Sequence, residues 1–227
     1  MDQTGWLIQT LLVGFLAFLT TNIDNLLLLI LLFSQPNYKK RHVVAGQYLG
    51  FFVILLVSTL GFFGKFLLPL AWIGFLGFVP IILGLRRMRE LLPKRTRKQE
   101  KARISETYVK ASMPQSFTHL VFTPFLNFQT YRVMLMTLGN GSDNISTYTP
   151  LFASGSFIHM MLLISLFLLL VGVWCFLGYS VARLPPVAYM IGQYGRILLP
   201  FAYILLGFYI MVQCGTFHLL AQLVKLR

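Results

Sequence analysis

The chain has 227 residues, 57% of them hydrophobic and 11% charged, with a mean hydropathy of +0.74. That balance points away from soluble domains and toward an integral membrane protein. The net charge of +13 does not indicate nucleic-acid binding, because no soluble basic domain is left once the apolar runs are removed; Cys175 and Cys214 lie in separate apolar runs with no CxxC or metal-ligand spacing, which argues against a disulfide framework or a thiolate metal site.

Residues 6–34 form the first apolar run, long enough to cross a hydrocarbon core of about 30 Å at about 1.5 Å per residue. No Lys or Arg precedes it and it outlasts a signal peptide, so it is expected to be retained as a span. It carries a polar island, Thr20-Thr21-Asn22-Ile23-Asp24-Asn25. Gln35 to Arg41 is a polar turn containing Pro36 and three adjacent charges. The second span, residues 43–63, opens on Gly46-Gln47-Tyr48-Leu49-Gly50, a GxxxG spacing that lets another helix approach closely. The third, residues 70–85, has a small-residue face of Gly74, Gly77, Pro80 and Gly84, with a kink expected at Pro80.

From Arg86 to Lys110 the composition inverts to ten basic residues against three glutamates, which reads as a solvated loop at the membrane surface. A Pro-bearing approach leads into the fourth span, residues 131–154, and its own island, Gly139-Asn140-Gly141-Ser142-Asp143-Asn144-Ile145. Two glycines there argue against an unbroken helix. The fifth and sixth spans are residues 157–181 and 197–220; His159 and His218 read as packing histidines. The basic connections after the first, third and fifth spans fall on one side, which the positive-inside rule makes cytoplasmic, with both termini outside. Lys225 and Arg227 disagree with this mildly.

The expected fold is therefore an all-α membrane protein of six transmembrane helices. Residues 1–85 form a first three-helix repeat, 86–130 a basic cytoplasmic loop with its approach segment, and 131–227 a second repeat. The islands align, Thr21-x-x-Asp24-Asn25 on Asn140-x-x-Asp143-Asn144, and each is followed some way downstream by a related ending, Ile81-Ile82-Leu83-Gly84 or Ile204-Leu205-Leu206-Gly207. Copies with an odd number of spans enter the membrane from opposite faces, giving an inverted repeat whose ligand site lies near the midplane.

Of the six acidic residues, Asp24 and Asp143 are those flanked on both sides by long apolar runs. A carboxylate at that depth costs from about 3 to more than 10 kcal/mol unless it faces a partner, a cavity or an ion. Two of them with oxygens from Thr21, Asn25, Asn140 and Asn144 make a cage for a divalent cation. By hardness it suits Mn²⁺, Ca²⁺ or Mg²⁺, with Zn²⁺ and Cd²⁺ also accommodated. The same carboxylates can carry protons, a route to antiport.

The two islands, with Gly46-Gln47-Tyr48-Leu49-Gly50 after the first and Tyr148 and Pro150-Leu151-Phe152 after the second, resemble the paired motifs of the cadmium-resistance transporters of the LysE superfamily. The resemblance covers most of the chain. It implies a multi-pass protein of the inner (plasma) membrane that exports cadmium or a related cation, with Asp24 and Asp143 in the acidic motifs. The cation is then the substrate, no cofactor is expected, the bilayer is a partner and self-association is left open. The alternative is an exporter of amino acids or small organic cations, with Tyr48, Tyr148 and Tyr203 offering cation-π contacts. Three further readings have less to support them. A thiol-disulfide carrier lacks paired cysteines beside the islands, an intramembrane aspartyl protease does not need the Asn after each Asp, and a scaffold has no use for a costly buried charge.

Overall fold

The computed structural model describes residues 3–64, 66, 72, 74–91, 127–183 and 185–216. Most of the basic stretch, residues 92–126, and the C-terminal segment with His218, Lys225 and Arg227 lie outside the described residues. Regular structure among the described residues is helical: α1 (Gln3–Ser34), α2 (Lys40–Gly64), a 3₁₀ turn (Gly74–Gly77), α3 (Phe78–Leu91), α4 (Phe128–Asn140), α5 (Ser142–Ala153), α6 (Phe157–Val181) and α7 (Pro185–Gln213).

Local chemistry sets the helix ends. The Asn127 side chain accepts from the Gln129 N–H at the start of α4, and Ser156 accepts from the His159 N–H at the start of α6. Each satisfies an orphan donor of a first turn. Between α4 and α5, Gly141 sits at φ −82° and ψ 0° with its N–H turned back to Leu138 O. A Cβ there would lie 2.4 Å from Ile54 Cδ1 of α2, so glycine at the break answers to close packing as well as to backbone geometry.

Among the described residues three helices, α1, α2 and α6, are long and apolar enough to cross a membrane. The other three expected spans differ from single apolar helices of that length. In the third, the described part includes a 3₁₀ turn, Gly74–Gly77, followed by the 14-residue α3, which runs past the expected end at 85 to Leu91. The fourth is divided at Gly141 into α4 and α5, of 13 and 12 residues, each short of the ~20 that a span needs. The last begins earlier, at Pro185, and its segment Leu199–Gln213 is apolar. Helix α6 shows why a bilayer is required: it buries Leu163, Phe167 and Trp174 while leaving Ile158, Leu169 and Phe176 uncovered. A helix apolar on every side fits between protein and lipid.

Packing follows three pairings. Helix α1 runs parallel to α6: Phe18 meets Phe167, the Trp174 indole N–H donates to Asn22 O at 2.9 Å, and Phe33 meets Tyr179. Helix α2 runs parallel to α4 and then α5. A Cβ on Gly46 would lie 2.5 Å from Thr130 O, on Gly50 2.8 Å from Thr137 Cβ, and on Gly61 2.4 Å from Thr149 O. The GxxxG stripe thus brings α2 and α4 close enough for Thr137 Oγ1 to donate to Gln47 Oε1 at 2.9 Å. Helix α3 runs antiparallel to α7, with Gly77 against Gly207 O and Gly84 against Pro200 O. The centre is aromatic: Phe18, Phe51, Tyr148, Phe152 and Phe167 are all buried, and Tyr148 stacks on Phe167 at 4.4 Å.

One end of the bundle is basic. The Gln129 amide donates to Asn37 O at 2.7 Å, and Lys40 and Arg183 both donate to the Tyr179 hydroxyl. The α1–α2 turn, the start of α4 and the end of α6 therefore share a face.

Candidate functional site

The two islands are built differently. The first lies within unbroken α1, and the second straddles the α4–α5 break, so that Asp143 falls in the first turn of α5. A carboxylate is favoured there by the helix dipole.

The bundle brings the two aspartates together, and the residue between them is an arginine. Arg87 Nη2 donates to Asp24 Oδ2 at 2.8 Å and to Asp143 Oδ2 at 2.6 Å. Its Cζ lies 5.6 Å from the centroid of the Tyr203 ring, and the Tyr203 hydroxyl is 3.5 Å from the same Asp143 oxygen. Four helices meet here: α1, α5, α3 and α7. Sequence reasoning left Arg87 in the solvated basic loop; α3 continues through it to Leu91, and its side chain is 23% exposed. The register was a signal for it. Pro80 and Gly84 lie on the packed face of α3, and the next position on that face is 87.

The other candidates divide. Asn25 is buried beside Asp24; its Nδ2 reaches Asn22 Oδ1 at 3.5 Å, while its Oδ1 has no hydrogen-bond partner. Asn144, beside Asp143, likewise has a buried, unpartnered Oδ1, as does the hydroxyl of Thr147 one turn on. Three buried oxygens without donors are costly unless an electropositive group serves them. Thr21 is engaged elsewhere: its hydroxyl bonds Ala17 O at 2.9 Å and Tyr148 Oη at 2.8 Å. Asn22, absent from the expected set, donates to the same Tyr148 oxygen at 2.8 Å. This network ties α5 to the first island. Asn140 is exposed at the end of α4.

The donor set at the aspartates is oxygen. Among the described residues no group of three or more His, Cys, Asp and Glu side chains could hold a metal ion, and Cys175 and Cys214 are buried free thiols. Any cation held here would rest on two carboxylates and neutral oxygens.

Charged groups gathered inside an all-helical, membrane-embedded bundle mark a functional site, and membrane transport proteins are one class built that way. The sequence profile of the cadmium resistance transporter family matches residues 18–223, and the chain belongs to that family. Its activity is accordingly transport and not catalysis. No curated protein and no solved structure gives a significant match.

Proposed function

We propose that the chain exports a divalent metal cation through a midplane site centred on Asp24 and Asp143, with Asn25 and Asn144 as neutral ligands and protons as the counter-ion. The observation that carries this reading is that one nitrogen, Arg87 Nη2, lies 2.8 and 2.6 Å from the two carboxylate oxygens. Calcium sits about 2.3–2.6 Å from its oxygens, so a cation at that point needs little contraction. Asp24 has 45% of its side chain uncovered by protein. Lipid cannot solvate a carboxylate, so this opening suits a water-filled path. Of the wider set expected, Thr21 serves better as a tether to Tyr148 than as a ligand, and Asn140 would have to turn inward to join.

Six membrane crossings in two inverted three-helix repeats also belong to this proposal. Exchange of partners supports it: α1 parallel to α6 and α2 parallel to α4–α5 are equivalent pairs under a two-fold axis in the membrane plane, and antiparallel α3 and α7 would flank that axis. The basic face supports a cytoplasmic α1–α2 turn in a plasma-membrane protein, with both termini outside. With α3 running to Leu91 and α4 starting at Phe128, the repeat boundaries in this scheme move from 85 and 131 to 91 and 128.

A guanidinium between two aspartates and over a tyrosine ring also favours one other substrate class, small organic cations. Flux in proteoliposomes with an internal pH dye separates the two. The expected result is transport of one of Cd²⁺, Zn²⁺, Mn²⁺ or Ca²⁺ with opposite proton movement, abolished by Asp143→Asn. Flux of amino acids or quaternary amines with none of the metals would overturn the metal reading.

A further inference from the structure

We propose that Arg87 is a tethered counter-cation that occupies the Asp24–Asp143 site when substrate is absent and has to be displaced for substrate to bind, an inference that rests on reading the aspartate pair as the cation site. The point that satisfies both carboxylate oxygens is taken by Arg87 Nη2. A metal ion within bonding distance of both oxygens would collide with that nitrogen, and two cations in contact repel.

Charge gives the same answer. Two carboxylates and one guanidinium leave a single negative charge, whereas two carboxylates and a divalent ion leave none. With both cations present the site would be positive, so entry of the ion drives the arginine out. Arginine keeps its charge in proteins, so it has to leave by moving and not by losing a proton.

The surroundings suit such a movement. Arg87 lies one turn from the end of the 14-residue α3, and the buried ring of Tyr203 already stands 5.6 Å from its Cζ, a surface on which a displaced guanidinium can rest. Gly84, one turn earlier, is locked against Pro200 O and Tyr203 Cβ, which keeps the α3 backbone in place while the side chain swings. A built-in competitor lowers the affinity of the site for its cargo. For an exporter this shortens the time the ion stays bound before release.

The test is equilibrium binding of Mn²⁺ and of Cd²⁺ to the purified full-length chain in detergent, by titration calorimetry. Arg87→Gln is expected to bind about tenfold more tightly than wild type, as when the competent fraction rises from about a tenth to all. Arg87→Lys, which retains the charge, is tightened less, and Asp143→Asn does not bind. Unchanged or weaker binding by Arg87→Gln, with binding lost in Asp143→Asn, overturns the competition and leaves the site intact. Absence of binding in wild type, or normal binding in Asp143→Asn, overturns the site and the competition together. The wild type alone supplies a second measurement: modification of Arg87 by phenylglyoxal, read by peptide mass spectrometry, should accelerate when Cd²⁺ is added. An unchanged or slower rate contradicts displacement.

Discussion

Tyr148 and Asp143 stand five residues apart on α5 and do different work. The tyrosine is fully buried, stacks on Phe167, and receives Asn22 Nδ2 and meets Thr21 Oγ1 through its hydroxyl. Removing that oxygen leaves the ring in place but strips two polar groups of α1 of one partner each. Tyr148→Phe should therefore lower stability by about 1–2 kcal/mol in denaturant unfolding in detergent, and leave most of the cation flux. Asp143→Asn should do the reverse, keeping the fold and losing flux. That Asp24 and Asp143 need a partner was legible, because charge inside an apolar run is expensive whatever the fold. Arg87 was not read as their partner, because it sits among ten basic residues and composition alone gives each of them the same meaning. What sets it apart is its register on α3, and register becomes informative only when the end of the helix is known. Likewise Asn22 looked like part of a polar island, and only the packing of α5 on α1 separates its role from that of Asn25.

Among the elements, α2 is held by the absence of side chains. Gly46 lies against a backbone oxygen of α4, where a Cβ would approach to 2.5 Å, whereas Gly139 has open space around it. Gly46→Ala should cost about 1–3 kcal/mol by forcing α2 away from α4, measured as a lowered melting temperature in detergent. Gly139→Ala should be neutral or slightly stabilising, since alanine favours the helix by up to about 1 kcal/mol over glycine. The GxxxG spacing announced this contact, though not its partner. Spans α1, α2 and α6 were legible almost to the residue from continuous apolar sequence bounded by Pro36, Gly64 and Ser156. The divided fourth span was legible in kind, from its glycines. The 3₁₀ turn ahead of α3 and the early start of α7 were not, the latter because Pro185 and Pro186 read as breaks while proline also serves as a first helical residue.

The bundle as assembled has a polarity that can be checked from outside. Lys40 lies on the basic face with Tyr179 and Arg183, and the topology proposed above has that face in the cytoplasm. In a background where Cys175 and Cys214 are replaced by Ser, Lys40→Cys should resist an impermeant thiol reagent in intact cells and react after permeabilisation. Labelling of intact cells would invert the topology. The pairing of α1 with α6 and α2 with α4–α5 joins the first and second halves of the chain throughout, so the two islands approach each other only in the complete protein. That is why the sequence suggested a shared site through repetition but offered no geometry for it.

On the proposed function, Asp24 and Asp143 form one cation site. The most direct measurement is the stoichiometry of Cd²⁺ bound to the purified chain in detergent, compared across wild type, Asp24→Asn, Asp143→Asn and the double variant. One ion per wild-type chain, and none in either single variant or in the double, is the predicted result. An ion retained by one or both single variants and lost only in the double would mean that the aspartates bind separately, and would contradict it.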